Sequence, residues 1–186
     1  MLRAMDPIPI IATQRLTLRP FAAADLDAYA AMCADAEVMR HIGDGGPVGR
    51  DVAWRQMAFF LGHWPLRGYG MWAIESRASG RLIGRAGFMN PEGWPGLELG
   101  WLLARDAWGE GYATEASRAA LESGRGRFGA QEIISLIRPA NQRSIAVALR
   151  LGATPAREID FLGAAATVYV HASALASRRG LDDGLG

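Results

Sequence analysis

Gly109 and Gly111 are the residues whose type and spacing point most directly to chemistry in this sequence. They separate residues 97–103, in which apolar side chains alternate, from residues 112–128, in which they recur at helical intervals. The first pattern predicts a β-strand and the second an α-helix, so the two glycines form a tight strand-to-helix turn. The first turn of a helix has backbone N–H groups without intrahelical acceptors and carries the positive end of the helix dipole. Such a turn can bind phosphate or pyrophosphate without a lysine.

The elements that position this turn are predicted from the pattern of the whole chain. Alternating or dense apolar segments predict strands, whereas helical spacing bounded by glycine or proline predicts helices. Strands are expected at 15–19, 69–76, 81–89, 97–103, 132–138, 155–161 and 166–172, and helices at 22–34, 50–66, 112–128 and 141–151. This mixed order predicts an α/β protein in which one sheet has helices on both faces. We expect one domain at 1–176 and a flexible, glycine-rich C-terminal tail at 177–186.

Composition restricts the class of protein. The chain has 186 residues, of which 50% are apolar, and this suits one domain with a full core. A formal net charge of +1 gives no global attraction to nucleic acid or to an anionic membrane. The sequence has no convincing signal sequence and no apolar segment long enough to span a bilayer, so we expect a cytoplasmic protein. The single cysteine, Cys33, and three scattered histidines predict neither an internal disulfide nor a metal site.

Four motifs occur in the same order as in a known family, and together they span residues 13–172. The string WGEGYATEA at 108–116 resembles the acetyl-CoA pyrophosphate loop of the GNAT N-acetyltransferase superfamily, particularly of the branch of ribosomal-protein N-terminal alanine acetyltransferases. TQRLTLRPF at 13–21 resembles the opening strand of that branch, and RLIG at 81–84 resembles its third strand. NQRS at 141–144, followed by LGA at 151–153, is similar to its second cofactor motif.

The resemblance implies a single-domain GNAT fold, with a mixed, mostly antiparallel sheet that splays between its fourth strand, 98–104, and its fifth, 132–138. In this family acetyl-CoA, the acyl-donor substrate, occupies that opening. An unpaired strand edge suits the pantetheine arm because its amides can pair with backbone groups. By resemblance the donor contacts are Leu102, Leu103 and Ala104 for pantetheine, Trp108, Gly109, Glu110, Gly111, Tyr112, Ala113 and Thr114 for the pyrophosphate loop, and Asn141 and Ser144 from the other side.

Glu98 is the candidate catalytic base for the reaction that the resemblance implies, the attack of an amine on the thioester carbon. An alkyl ammonium has a pKa near ~10 and an α-amino group near ~8, so the nucleophile must lose a proton. Glu98 precedes the turn on the strand face that it shares with Gly100, whose missing side chain leaves room for the acetyl group. The alternative is that Glu98 is only an exposed strand residue.

Ser144 is the candidate acid for the departing CoA thiolate, because Ala148 stands where many relatives have a tyrosine. Tyr112 and Tyr169 are alternative donors, and a thiol with a pKa near ~8.5 can also leave as the thiolate without assistance. A cofactor contact without acid catalysis and a plain helix cap are the other roles open to Ser144.

Glu110 departs from the family, which more often has lysine or glutamine inside the loop. A carboxylate beside a pyrophosphate is repulsive, although exposed charges are screened. Three arginines are candidates to offset this charge: Arg105, Arg143 and Arg150.

The acceptor is left open between an α-amino group of a protein or peptide and a small amine. A non-catalytic acyl-CoA-binding module is the alternative to an enzyme, since the tyrosine is missing and Glu110 is acidic. A nucleotide-binding enzyme fits less well, because Thr114 replaces the third glycine of a dinucleotide fingerprint. The aromatic residues at 54–64 are interpreted first as a helix core face, with the acceptor wall as the alternative. A homodimer is possible by resemblance.

Overall fold

The computed structural model describes residues 7–129 and 131–171, so the expected tail at 177–186 and the boundary at 176 lie outside the described residues. The strands are β1 (Ile11–Ala12), β2 (Leu16–Arg19), β3 (Met71–Ser76), β4 (Leu82–Met89), β5 (Leu97–Leu103), β6 (Ile133–Ile137), β7 (Thr154–Phe161) and β8 (Ala164–His171). The helices are α1 (Leu26–Ala34), α2 (Ala36–Met39), α3 (Arg50–Arg67), α4 (Tyr112–Phe128) and α5 (Gln142–Arg150). The predicted strands and helices are therefore confirmed, with ends that differ by a few residues, except that the helix at 22–34 is divided; β1 and α2 are additional.

One eight-stranded sheet organises the domain, in the order β1-β2-β3-β4-β5-β6-β8-β7. Neighbouring strands are antiparallel except β5 and β6, which are parallel. These two strands pair only through Leu97 with Ile133 and Glu98 with Ile134, and beyond that point they separate. The α/β fold and the splay between the strands at 98–104 and 132–138 are confirmed.

Different helices cover the two faces of the sheet, as the alternation of β5 requires. Leu99 is buried on the face that α4 covers, together with the small residue Ala116. Leu102 is buried on the opposite face with Tyr29 of α1 and Phe60 of α3. Because successive strand residues point to opposite faces, β5 contributes to both cores at once.

The predicted helix at 22–34 is divided in the structure. A 3-10 turn, Ala23–Asp25, precedes α1. The buried carboxylate of Asp25 accepts hydrogen bonds from both terminal guanidinium nitrogens of Arg19, at 2.7 and 2.8 Å, and from the N–H of Ala22 at 2.8 Å. Burial alone would raise the pKa of Asp25, but the hydrogen bonds from Arg19 and Ala22 together with the charge of Arg19 outweigh it, and the pKa is lowered. This local network fixes the start of α1 and explains why one helical pattern gives two elements.

Cys33 is fully buried in α1, with its Sγ 3.8 Å from the side-chain oxygen of Gln56. Burial raises the pKa of its thiol, so the interpretation as a small buried residue is confirmed. Within residues 7–129 and 131–171 there is no cluster of three potential metal ligands. In the same residues no helix combines the length and apolar character needed to cross a membrane.

Candidate active site

The strand-to-helix turn has the geometry that its glycines predict. Gly109 and Gly111 have φ angles of +84° and +80°, and α4 begins directly afterwards at Tyr112. Glycine is required because other residues are strained in this left-handed region. The indole of Trp108 closes the turn by donating to the carbonyl of Leu103 at 3.0 Å. The first N–H groups of α4 lack intrahelical acceptors, so the turn is suited to bind a pyrophosphate.

The open edge of β5 provides backbone groups that β6 does not use. The N–H of Ala104 donates to Ile83 of β4 at 2.9 Å, and the carbonyl oxygen of Leu102 is also directed to β4. Because backbone groups alternate in direction along an antiparallel strand, those of Trp101 and Leu103 face the opening. The backbone groups of Leu102 and Ala104 are thus directed to β4, whereas those of Leu103 and of Trp101, which was not named from the sequence, are directed to the opening.

Arg15 stabilises the turn, a role that was not predicted from the sequence. Its guanidinium binds the carboxylate of Glu115 in the first turn of α4, with Nε at 2.7 Å and Nη2 at 2.6 Å. Its Nη1 donates to the carbonyl of Glu110 at 2.9 Å, and the guanidinium carbon lies 4.5 Å from the ring centroid of Tyr112. Arg15 lies in the segment that resembles the opening strand of the family, and this was the available signal.

The three arginines expected to offset Glu110 have other environments. Arg105 pairs with Asp35 at 2.9 Å, and Arg143 stacks on the ring of Trp108, with its guanidinium carbon 4.3 Å from the centroid. Arg150 is exposed at the end of α5. Arg15 is therefore the cation that directly contacts the Glu110 backbone, while the Glu110 residue itself is exposed.

Replacing Glu110 with lysine should tighten acetyl-CoA binding by about two- to fivefold at low salt, because an exposed charge contributes only a fraction of a kcal/mol to about 1 kcal/mol. Calorimetric titration at two salt concentrations measures the effect, which should shrink at the higher concentration. Glu92→Lys reverses another exposed charge, outside the turn, and serves as the control. Weaker binding of acetyl-CoA to E110K would contradict the assignment of this turn to the pyrophosphate.

Glu98 lies in a cavity of about 260 Å³ at the point where β5 and β6 separate. Glu98 is only 8% exposed, so the alternative interpretation, in which Glu98 is an exposed strand residue, is wrong. The indole N–H of Trp94 donates to one carboxylate oxygen at 2.6 Å. Burial raises the pKa of Glu98 to about 7, against the smaller lowering effects of Trp94 and of the Arg85 charge. A β-carbon built on Gly100 would lie 3.8 Å from the other Glu98 oxygen, so the two residues share a face as predicted.

The separation of the strands is bridged by a buried side chain. Ser135 donates its hydroxyl to the carbonyl of Leu99 at 2.7 Å and lies 2.9 Å from Nε2 of His171. Burial lowers the pKa of His171 to about 4, so the ring is neutral, and Nε2 carries the proton that it donates to Ser135. The signal for this role was one polar residue within the apolar run at 133–137.

Asn141 and Ser144 line the same cavity as Glu98. Asn141 is the N-cap of α5, and its side-chain oxygen accepts the N–H of Ser144 at 3.2 Å. The cap is thus Asn141 and not Ser144, whose hydroxyl makes no hydrogen bond within the described part of the chain. Tyr169 is buried in a small cluster with Ala148, and it does not line the cavity. Tyr112 does not line the cavity either.

Aromatic residues form much of the cavity wall, and two arginines, Arg85 and Arg138, also line it. Phe59 and Phe60 of α3 contribute from one side, and Phe161 packs against Trp94 with ring centroids 4.7 Å apart. Of the other aromatic residues of α3, Trp54 is exposed and Trp64 is buried in the core. The helix therefore supplies both a core face and a cavity wall. Arg85, at the centre of β4, also lines the cavity and was not identified from the sequence.

Comparisons with known proteins agree with this geometry. Residues 15–154 match the family described as acetyltransferase (GNAT) domain. An acetyltransferase structure from Agrobacterium tumefaciens is 32% identical, with a TM-score of 0.79 over 93% of this chain and 99% of that one. RimL, a ribosomal L7/L12 α-N-protein acetyltransferase solved in complex with coenzyme A, shares the fold at 16% identity, with a TM-score of 0.72 over 89% of this chain and 98% of that one.

A curated relative, YkkB of Bacillus subtilis, is 37% identical over 90 residues, which are 46% of this chain and 52% of YkkB. The match thus spans about half the length of that relative.

Proposed function

The chain belongs to the GNAT acetyltransferase family, and from that premise we propose that it transfers acetyl from acetyl-CoA to a primary amine by direct attack, without an acyl-enzyme intermediate. The observation that carries this proposal is the carboxyl group of Glu98. It is buried in the cavity beside the parted strands, and burial raises its pKa to about 7. A general base is most effective when its pKa lies near the working pH.

Acetyl-CoA is proposed to bind along the end of β5, the turn that follows it and the first residues of α4. The backbone groups of Trp101 and the N–H of Leu103 suit the amides of pantetheine, while the carbonyl of Leu103 already accepts from Trp108. The turn and first helical residues, from Trp108 to Thr114, suit the pyrophosphate. Asn141 and Ser144 border the cavity from α5.

The proposed chemistry needs few groups. Glu98 takes a proton from the ammonium, directly or through a water, and the amine nitrogen then forms a bond to the thioester carbon. A backbone N–H on the open edge of β5 donates to the oxyanion. The carbon–sulfur bond breaks and CoA leaves as the thiolate, which takes up the second proton that the nitrogen loses as the amide forms. The hydroxyl of Ser144, which borders the cavity, is available as a hydrogen-bond donor to the departing sulfur.

The acceptor follows from the cavity. A volume of about 260 Å³ with aromatic walls suits an amine no larger than one amino-acid residue, whether free or at the start of a peptide. Neutral overall charge provides no electrostatic preference at long range. The cytoplasmic location and the homodimer stay predictions from the sequence.

A coupled thiol-release assay over a panel of amino acids, small amines and peptides tests the proposal. Amine-dependent release of CoA thiol, with N-acetylated product detected by mass spectrometry, is the expected result. Binding of acetyl-CoA without turnover on any member of the panel would instead favour the non-catalytic acyl-CoA-binding module.

A further inference from the structure

Arg85 is a buried cation in the acceptor cavity whose charge is not neutralised by an ion pair. The residue is 7% exposed, and its Nε donates to the hydroxyl of Tyr29 at 3.2 Å. The guanidinium carbon lies 5.0 Å from the ring centroid of Phe60. Across residues 7–129 and 131–171, no carboxylate lies within 4.0 Å of Arg85, and its two terminal nitrogens have no hydrogen-bond acceptor. Those nitrogens are not fully enclosed, and Arg85 is one of the residues that line the cavity.

Tyr29 does not account for this buried charge. Its hydroxyl donates to the side-chain oxygen of Gln56 at 2.8 Å, so Tyr29 has a hydrogen bond without Arg85. Burial raises the pKa of Tyr29 to about 12, and the phenol is therefore neutral at physiological pH. A neutral hydroxyl cannot balance a guanidinium, and an unpaired buried charge is costly. By contrast Arg19, which is also largely buried, pairs with both Asp25 and Glu75.

Arg85 and Glu98 face the same cavity from two positions along the sheet. Arg85 is opposite Leu102 in the β4–β5 register, and Met89 is opposite Glu98, so the two levels are four positions apart along β4. Between them Gly100 lines the cavity without a side chain, and the side chains nearest to its β-carbon position are Met71, Met89 and Glu98. The arginine charge is close enough to lower the pKa of Glu98. The cavity thus has the base at one level and an unpaired planar cation at the other.

We propose that the acceptor amine also carries a carboxylate, that Arg85 binds this carboxylate, and that the apolar part of the acceptor contacts the aromatic wall. The inference rests on the proposed function, because it assigns an acceptor to the same cavity. A guanidinium presents two parallel N–H donors that match the two oxygens of a carboxylate. A phosphate dianion fits less well, since its second charge would face Glu98. The carboxylate can belong to a free amino acid or to an acidic first residue of a peptide.

The test compares matched acceptors that differ only in this charge. Leucine and leucinamide form the free pair, and two hexapeptides that begin with Glu or Gln form the peptide pair. Measuring kcat/KM for each pair in the wild-type protein and in Arg85→Met gives a ratio of ratios, in which the different amine basicities cancel. For the pair that resembles the true acceptor, kcat/KM of the acidic member is divided by kcat/KM of the neutral member. This ratio should be about 10- to 100-fold lower in R85M than in the wild-type protein. Arg85→Lys keeps the positive charge but lacks the two parallel N–H donors, so it should recover part of the preference for the acidic member.

Two controls separate a failed inference from a failed fold or a failed proposed function. Arg157→Gln removes an exposed arginine of β7 and should leave the ratios unchanged. Calorimetric binding of acetyl-CoA to R85M reports whether the variant folds, because the donor groups lie on β5, α4 and α5. Turnover with equal loss for acidic and neutral members in both pairs would overturn the Arg85 assignment. Absence of turnover on every amine in the wild-type protein would overturn the proposed function instead.

Discussion

Glu98→Gln should lower kcat by about 10²- to 10⁴-fold, the range that a positioned general base contributes. Glutamine has nearly the same shape and can still accept the hydrogen bond from Trp94, but it cannot take a proton. Single-turnover kinetics with a saturating acceptor, together with calorimetric binding of acetyl-CoA, measure the two effects separately. The affinity for acetyl-CoA should change little, since no donor contact is assigned to Glu98.

The pH profile gives a second readout of the same substitution. Glu98 acts as a base only when ionised, so kcat/KM of the wild-type protein should rise with pH through about 7. E98Q should lose this ionisation and keep only the titration of the amine. Glu132→Gln, which removes a half-exposed carboxylate beside β6, is the matched control and should retain both rate and profile. A profile of E98Q that still rises through 7 would assign the base to another group.

Ionisation of Glu98, which should favour catalysis, should lower the stability of the folded protein. Its pKa is higher in the folded protein than the ordinary value of 4.5, so the folded state favours the protonated carboxyl. The wild-type protein therefore loses free energy of unfolding as the pH rises from about 4.5 through 7, and E98Q does not. Denaturant unfolding at pH 5 and pH 8 measures this difference.

Gly111→Val should weaken acetyl-CoA binding by about 100-fold or more, because two or three charge-assisted hydrogen bonds to the pyrophosphate depend on this turn. Valine is strained at a φ of +80°, so the turn must change and the first N–H groups of α4 change direction. Calorimetric titration measures the affinity. The thermal shift at a fixed acetyl-CoA concentration should shrink in parallel, since ligand at 100 times its dissociation constant adds about 2.7 kcal/mol.

Gly80→Val provides the matched control for the strain itself. Gly80 has a φ of +66° in the turn between β3 and β4, and no atom lies within 4 Å of its added β-carbon. Both variants should lose stability to a similar extent, but only G111V should lose affinity for acetyl-CoA. Equal affinities in the two variants would remove the turn at 109–111 from the donor site.

Local patterns were sufficient to predict the strand, turn and helix from residue 97 to 128. The alternation of β5, the two glycines and the spacing in α4 are properties of one short segment. The burial of Glu98 could not be predicted in this way, because it depends on Trp94 and on β6, which begins more than thirty residues later. The backbone direction of Trp101 and Leu103 depends on the register with β4, which side-chain alternation does not encode.

The burial of Arg85 could not be predicted from the local sequence either. Its segment, RLIGRAGF, predicts a strand correctly, but a charged residue in a strand is ordinarily expected to point to solvent. Only the docking of α1 and α3 on that face of the sheet turns position 85 into the interior of a cavity. The position of Arg85 in the cavity, which depends on long-range packing, was therefore missed, whereas the turn at 109–111 was predicted from its own glycines.

β5 has a mechanical consequence because it carries both the proposed base and the backbone groups proposed to bind the donor. Glu98 and the outward backbone groups of Trp101 and Leu103 lie within six consecutive residues, on a strand fixed to β4 along its whole length. Displacement of α3 or of the loop after α2 would alter the entry of the acceptor. The distance between the proposed base and the thioester would not change, because the backbone of β5 sets it. Such fixed juxtaposition supplies a high effective molarity, and the catalytic advantage of this protein should therefore survive substitutions throughout its outer helices.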